Sequence, residues 1–284
     1  MTETDPALDK IQKRHPEWTP WLAVVQAALR ECGNHQWDSL APRPPAVQTS
    51  KVPLLAEASL DLAKSPVPAF IRWLLRIAYQ NGTSQMASLK ALRQRELDVC
   101  VLFKAALQQD HHYLNEVAAA HGAEPSALQA VIAMAPQPFL HACNRAWARS
   151  ITPGWMESYC PICGAWPAFA EVRGIERTRH FRCGRCGGEW QAQFLSCPFC
   201  GTTEHHELLS LVPENRGDNA TIEACKRCMG YIKSFATLQG SLPTKVFIDD
   251  LDSVELDVAA VQQGYKRPEG NGYSFDIHVF DSSA

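Results

Sequence analysis

No apolar run in these 284 residues reaches the roughly 18 to 20 needed for a bilayer-spanning helix, which argues against a transmembrane segment. The opening "MTETDPALDKIQKRH" is acidic and polar and lacks a signal peptide's basic start and apolar core. Residence in the cytoplasm is the expectation. No region is strongly basic either. Residues 1–150 hold 15 Lys/Arg against 13 Asp/Glu, residues 151–240 hold 9 against 9, and residues 241–284 hold 3 against 8. A nucleic-acid binder draws much of its affinity from a basic face, so that class is disfavoured despite the locally basic "RGIERTRHFR" and "CKRC". There is no phosphate loop, no nucleophile motif and no carboxylate pair of defined geometry, and no enzymatic activity is expected.

What the chain has in excess is cysteine, 11 in all. Eight form four CxxC pairs: Cys160/Cys163, Cys183/Cys186, Cys197/Cys200 and Cys225/Cys228. A reducing cytosol disfavours structural disulfides, which leaves metal binding or catalysis. A thioredoxin-like dithiol needs its CxxC at a helix start beside a βαβ pattern, and that pattern is absent. A CxxC turn points two thiolates at one ion, and a second turn carried on a hairpin completes a tetrahedron. The spacings C-x2-C-x19-C-x2-C and C-x2-C-x24-C-x2-C suit zinc-ribbon or rubredoxin-like modules. Sequential pairing puts Cys160, Cys163, Cys183 and Cys186 on one ion and Cys197, Cys200, Cys225 and Cys228 on another. Interleaved pairing stays open. Sulfur-only tetrahedra accept iron or zinc alike.

Gly164, Gly187 and Gly201 each follow the second cysteine of a pair, where such a knuckle turns left-handed; in "CKRCMGY" the glycine is delayed to Gly230. Trp166 and Trp190 are read as covers for the sulfurs, His205 and His206 as exposed loop residues, and His111 and His112 as a solvated helix end. Cys32, Cys100 and Cys143 read as small buried apolar residues.

The period of the apolar residues divides the chain. Helical stripes run through Trp21, Val24, Val25, Ala28 and Leu29, through Ile71, Leu74, Leu75 and Ala78, and through Val99, Leu102, Phe103, Ala106 and Leu107. Five to seven helices are expected. The proline-rich "APRPPAVQTSKVP" (Ala41 to Pro53) reads as a linker or extended arm, and Ser126 with Gln129 as a capping box. After "SITPGW" short β-prone runs alternate with the knuckles: "WPAFAEV", "TRHFRC", "EWQAQFL", "HELLSLV", "TIEAC" and "YIKSFATL", with "RGIER" and "PENRGDN" as turns. A last helix is predicted from about Ser253 to Gln263, stopped by Gly264, ahead of an irregular tail. The predicted fold class is multidomain α+β: an all-α irregular bundle (1–150), two rubredoxin-like or zinc-ribbon modules (151–194 and 195–240), and a C-terminal helix and tail (241–284).

"YCPICGAWP", "HFRCGRCGGEW", "SCPFCG", "IEACKRCMGYIKSF" and "DDLDSVELDVAAVQQGYKRP" together resemble the formate dehydrogenase accessory protein FdhE family over about Tyr159 to Pro268. The resemblance implies a non-enzymatic cytoplasmic protein with a helical domain and two rubredoxin-like domains. It implies a partner, the catalytic subunit of respiratory formate dehydrogenase, bound before its export and made active with this factor's help. It also implies iron or zinc at the cysteines, and marks Glu189, Trp190, Tyr231 and Lys233 as contact-surface or packing residues. A nucleic-acid-binding zinc ribbon and a rubredoxin-like redox protein are the alternatives.

Overall fold

The computed structural model describes residues 5–44, 48, 51–94, 97–212 and 219–282. Two compact units emerge, one of Met1–Pro44, Glu57–Ala146 and Phe275–Ala284, the other of Pro45–Ala56 and Trp147–Ser274. Most of the proline-rich segment between Pro45 and Ser50, and the turn over 213–218, lie outside the described residues.

The first unit is helical: α1 (Pro6–Arg14), α2 (Thr19–Cys32), α3 (Val67–Asn81), α4 (Ser84–Ala87), α5 (Val99–Gln108), α6 (His111–His121), α7 (Pro125–Ile132) and α8 (Gln137–Trp147). That exceeds the expected five to seven because α4 is a four-residue piece with no stripe of its own. The three apolar stripes are the core: Val24, Val25, Ala28, Ile71, Leu74, Ala78, Leu102, Phe103 and Leu107 are all buried. Capping is local and legible. Asp98 accepts from the Val101 amide at 3.0 Å and Asp110 from the Tyr113 amide at 3.0 Å, starting α5 and α6. The capping box at Ser126 does not form. Pro125 occupies the first turn of α7 after Glu124, and the Ser126 hydroxyl donates to that glutamate at 3.1 Å instead. His111 and His112 are exposed at the start of α6.

The tail is more ordered than expected. Its strand β8 (His278–Phe280) pairs in parallel with β1 (Ser59–Asp61), and the Leu62 amide donates to the Phe280 carbonyl at 2.7 Å.

The second unit is built on one six-stranded sheet. Its strands are β2 (Phe169–Arg173), β3 (Thr178–Arg182), β4 (Glu189–Gln191), β5 (Leu208–Leu211), β6 (Ala220–Cys225) and β7 (Tyr231–Thr237). Their order is β4-β3-β2-β7-β6-β5. Each cysteine-bearing half contributes three antiparallel strands, and the halves join where β2 runs parallel to β7, Phe169 opposite Lys233 through Arg173 opposite Thr237. Helices α9 (Val246–Asp252) and α10 (Val254–Gln262) follow. One face of β6 and β7 packs Ala220, Ile222, Ala224 and Tyr231 against Leu256, Ala260 and Tyr265. Gly264, with φ of 86°, lies just past α10. Helix α9 lies ahead of the helix expected from about Ser253, and Ser253 separates it from α10 by turning its hydroxyl onto the Asp249 and Asp250 carbonyls.

Candidate metal centres

Three of the four knuckles are closed by two backbone hydrogen bonds, and the fourth by the Cys225 amide donating to the Gly230 carbonyl at 2.9 Å. In the first, the Gly164 amide donates to Cys160 O at 2.9 Å and the Cys160 amide to Ala165 O at 2.9 Å. The same pair recurs between Cys183, Gly187 and Gly188, and between Cys197, Gly201 and Thr202. The turn demands a left-handed residue right after the second cysteine, and Gly164, Gly187 and Gly201 have φ of 70°, 73° and 71°. The fourth knuckle places Met229 there, at φ 55°. Gly230 serves a different need: a Cβ on it would sit 2.6 Å from the Phe199 ring.

These turns gather the eight cysteines into two groups, Cys160, Cys163, Cys183 and Cys186 in one and Cys197, Cys200, Cys225 and Cys228 in the other. The Sγ atoms of each group all lie within 4.8 Å of one another. Across the first, Cys160 and Cys186 are 3.5 Å apart, as are Cys163 and Cys183; across the second, Cys197 and Cys228 are 3.6 Å apart and Cys200 and Cys225 3.7 Å. Sulfurs at the corners of a tetrahedron with bonds of about 2.3 Å stand about 3.8 Å apart, so both groups fit one metal ion each. Amides already face the sulfurs, from Gly188 to Cys186 at 3.4 Å and from Phe199 to Cys197 at 3.4 Å. Thiol ionisation is uneven. Burial drives Cys160, Cys186 and Cys197 upward, whereas Cys183, against its burial, is held well below the usual range by Cys160, Cys163 and Cys186. Cys200 is likewise lowered, burial being outweighed by the Thr202 amide and neighbouring sulfurs.

The tryptophans beside the knuckles are packing residues. Trp190 is buried and donates to the Glu157 carbonyl at 2.9 Å; Trp166 meets Phe199 edge-on with centroids 5.4 Å apart. His205 and His206 are exposed. Outside the clusters, Cys32 and Cys143 are fully buried and Cys100 is half-buried. Of the four residues marked by resemblance, Glu189 alone is exposed, and its carboxylate takes Arg173 at 2.7 Å. Tyr231 and Lys233 are buried, so with Trp190 they form no contact surface.

Lys233 belongs instead to an ionic clamp that sequence reading missed. Its ammonium lies 2.7 Å from Asp250 and 2.8 Å from Asp257, Arg267 reaches both carboxylates at 2.7 Å, and the Tyr231 hydroxyl donates to Asp257 at 2.8 Å. The clamp ties β7 to α9, α10 and the segment beyond. Despite burial, Arg267 and Lys233 hold the Asp250 carboxyl below its ordinary value. A second network joins Glu171 of β2 to Arg173, Arg182 and the Ser241 amide. A lysine in an otherwise largely apolar central strand signals such a clamp, but the aspartates that answer it are 17 and 24 residues away.

The family model described as FdhE, C-terminal domain, matches residues 195–273, which include the second cluster, α9 and α10. A protein FdhE homolog of Aquifex aeolicus (strain VF5) is 26% identical over 226 residues, covering 75% of this chain and 73% of that protein. A protein FdhE homolog of Pseudomonas aeruginosa is 31% identical over 118 residues, 39% of this chain and 38% of that one. The crystal structure of the FdhE protein from Pseudomonas aeruginosa covers 93% of this chain and 91% of its own, with a TM-score of 0.57 at 21% identity, a likeness of fold. Domain model, relatives and fold agree: residues 195–273 match the FdhE C-terminal domain, and over most of its length the chain is similar to proteins of the FdhE family.

Proposed function

We propose that this protein is a cytoplasmic, non-enzymatic maturation factor that binds the catalytic subunit of respiratory formate dehydrogenase before export and is needed for its activity. The observation that carries the reading is the FdhE C-terminal domain over residues 195–273, joined to a chain of matching fold. In this reading all eight clustered cysteines are metal ligands, two ions of iron or zinc being bound. The metal's first work is structural, since hairpins this small bury too little to fold alone. The sheet unit then offers the partner a rigid surface. No helix among the described residues is long and apolar enough to cross a membrane, in keeping with a partner met before export.

The test is affinity capture of tagged protein from native cytosol under reducing, low-oxygen conditions, with Cys160→Ser and Cys225→Ser variants alongside. The catalytic subunit should co-purify with the parent protein, and both variants should lose partner and metal together. Nucleic acid or nothing in the eluate would overturn the accessory reading. Full partner binding by metal-free variants would overturn the role given to the clusters.

A further inference from the structure

The two cysteine clusters are made by the same turns yet are covered very differently. In the first, Cys160, Cys163, Cys183 and Cys186 are all 0% exposed. Its knuckles are roofed by remote chain. The Leu54 and Leu55 amides donate to the Pro161 and Ile162 carbonyls at 2.9 Å each, and the Tyr273 amide to the Gly164 carbonyl at 2.9 Å. A Cβ on Gly187 would fall 2.4 Å from the Pro243 carbonyl oxygen, and one on Gly164 3.2 Å from that of Tyr273. In the second cluster Cys200 is exposed and Cys228 half-buried. At Gly201, the counterpart of Gly164, a Cβ would meet nothing within 4 Å. From the sheet side a cavity of about 320 Å³ reaches the same cluster, with Cys197, Phe199 and Cys225 in its wall.

Thiolates react and exchange according to how an incoming group reaches them. We infer that the second cluster is an exchange site, open at Cys200 to a soft donor ligand of the thiolate class, whereas the first is sealed against it. The inference rests on the reading that both clusters bind metal. In the exchange, Cys200 yields its place on the ion to the incoming thiolate and takes a proton from solvent. No electron is transferred, and Cys197, Cys225 and Cys228 keep their hold while the new ligand binds. The same opening lets a chelator strip this ion while the first stays.

The full-length protein as purified supplies the test, with no variant required. Metal content per chain is measured first. 4-(2-Pyridylazo)resorcinol is then added, metal release is followed by absorbance, and iodoacetamide-labelled cysteines are mapped by peptide mass spectrometry as release proceeds. Half the metal should leave in a fast phase, with label on Cys200 and Cys228 and none on Cys160, Cys163, Cys183 or Cys186. Two ions leaving in a single phase, or label arriving first on the first cluster, would overturn the inference and leave metal binding standing. A chain that starts without metal would instead sink the metal-binding reading, and this inference with it.

Discussion

The glycine that follows three of the four CxxC pairs shows how one residue meets two separate demands. Gly201 has φ of 71° with open space around it, while Gly187, at φ 73°, lies against the Pro243 backbone. The left-handed conformation alone costs an L-residue about 1 to 2 kcal/mol, and Met229 bears it in the fourth knuckle. Gly201→Ala should therefore lower stability by about that much. Gly187→Ala should lose about 1 to 3 kcal/mol more, because the added methyl must displace backbone. Urea unfolding of the two variants checks the order; equal losses would mean that Pro243 gives way freely. The left-handed turn is legible in the pattern CxxCG. The proline 56 residues downstream that seals it is not, since contacts so remote leave no local periodicity.

At the scale of elements, the decisive pairing is β2 with β7. Each half of the sheet unit reads in sequence as a self-contained knuckle-and-hairpin module, yet these central strands hydrogen-bond in parallel and make one sheet of the two. β7 is bonded on both sides, to β2 and to β6. A proline there removes a ladder donor and does not fit the interior of a sheet. Ser234, opposite Ala170 on one side and Thr221 on the other, is the place to test this. Ser234→Pro should abolish metal content at both clusters rather than only the one in its own half, as read by metal stoichiometry of the purified chain. Retention of one ion would show that the modules fold independently. The helices were easier to anticipate. Val99 to Gln108 combines an Asp98 cap with a continuous apolar stripe, so local propensity and burial agree. By contrast β1 and β8 are three-residue strands that pair with each other from far apart in the sequence, and neither carries a recognisable strand signal alone.

At the scale of the whole molecule, each unit has its own core, and the sheet unit adds buried ionic networks to its metal centres. Burial opposes charge on Asp250 and Glu171, but Arg267 and Lys233 hold the first below its ordinary value, and the Ser241 amide with Arg173 and Arg182 holds the second below its own. A carboxyl whose pKa is lowered on folding stabilises the fold above its unfolded value, about 3.9 for Asp and 4.3 for Glu, and loses that contribution as pH falls through the native value. The sheet unit should thus weaken progressively below about pH 4. Protonation of ligand thiols acts in the same direction, and Asp250→Asn separates the two. Measured by urea unfolding from pH 7 to pH 3 with metal content followed in parallel, the variant should start less stable and lose less on acidification. An unchanged slope would mean that the clamp contributes nothing to acid sensitivity.

By itself the sequence determined the chemistry available and the local shapes: eight cysteines in four turns, glycine where a turn goes left-handed, and the change from helical to strand period near residue 150. Those features depend on residues within a few positions of one another. Only the tertiary structure decided that β2 and β7 merge two hairpins, that Lys233 is buried against two aspartates, and that one cysteine cluster is roofed while the other is open. These depend on which distant segments come to lie on a given turn or strand face. Packing across tens of residues sets that outcome, and no spacing within a motif encodes it.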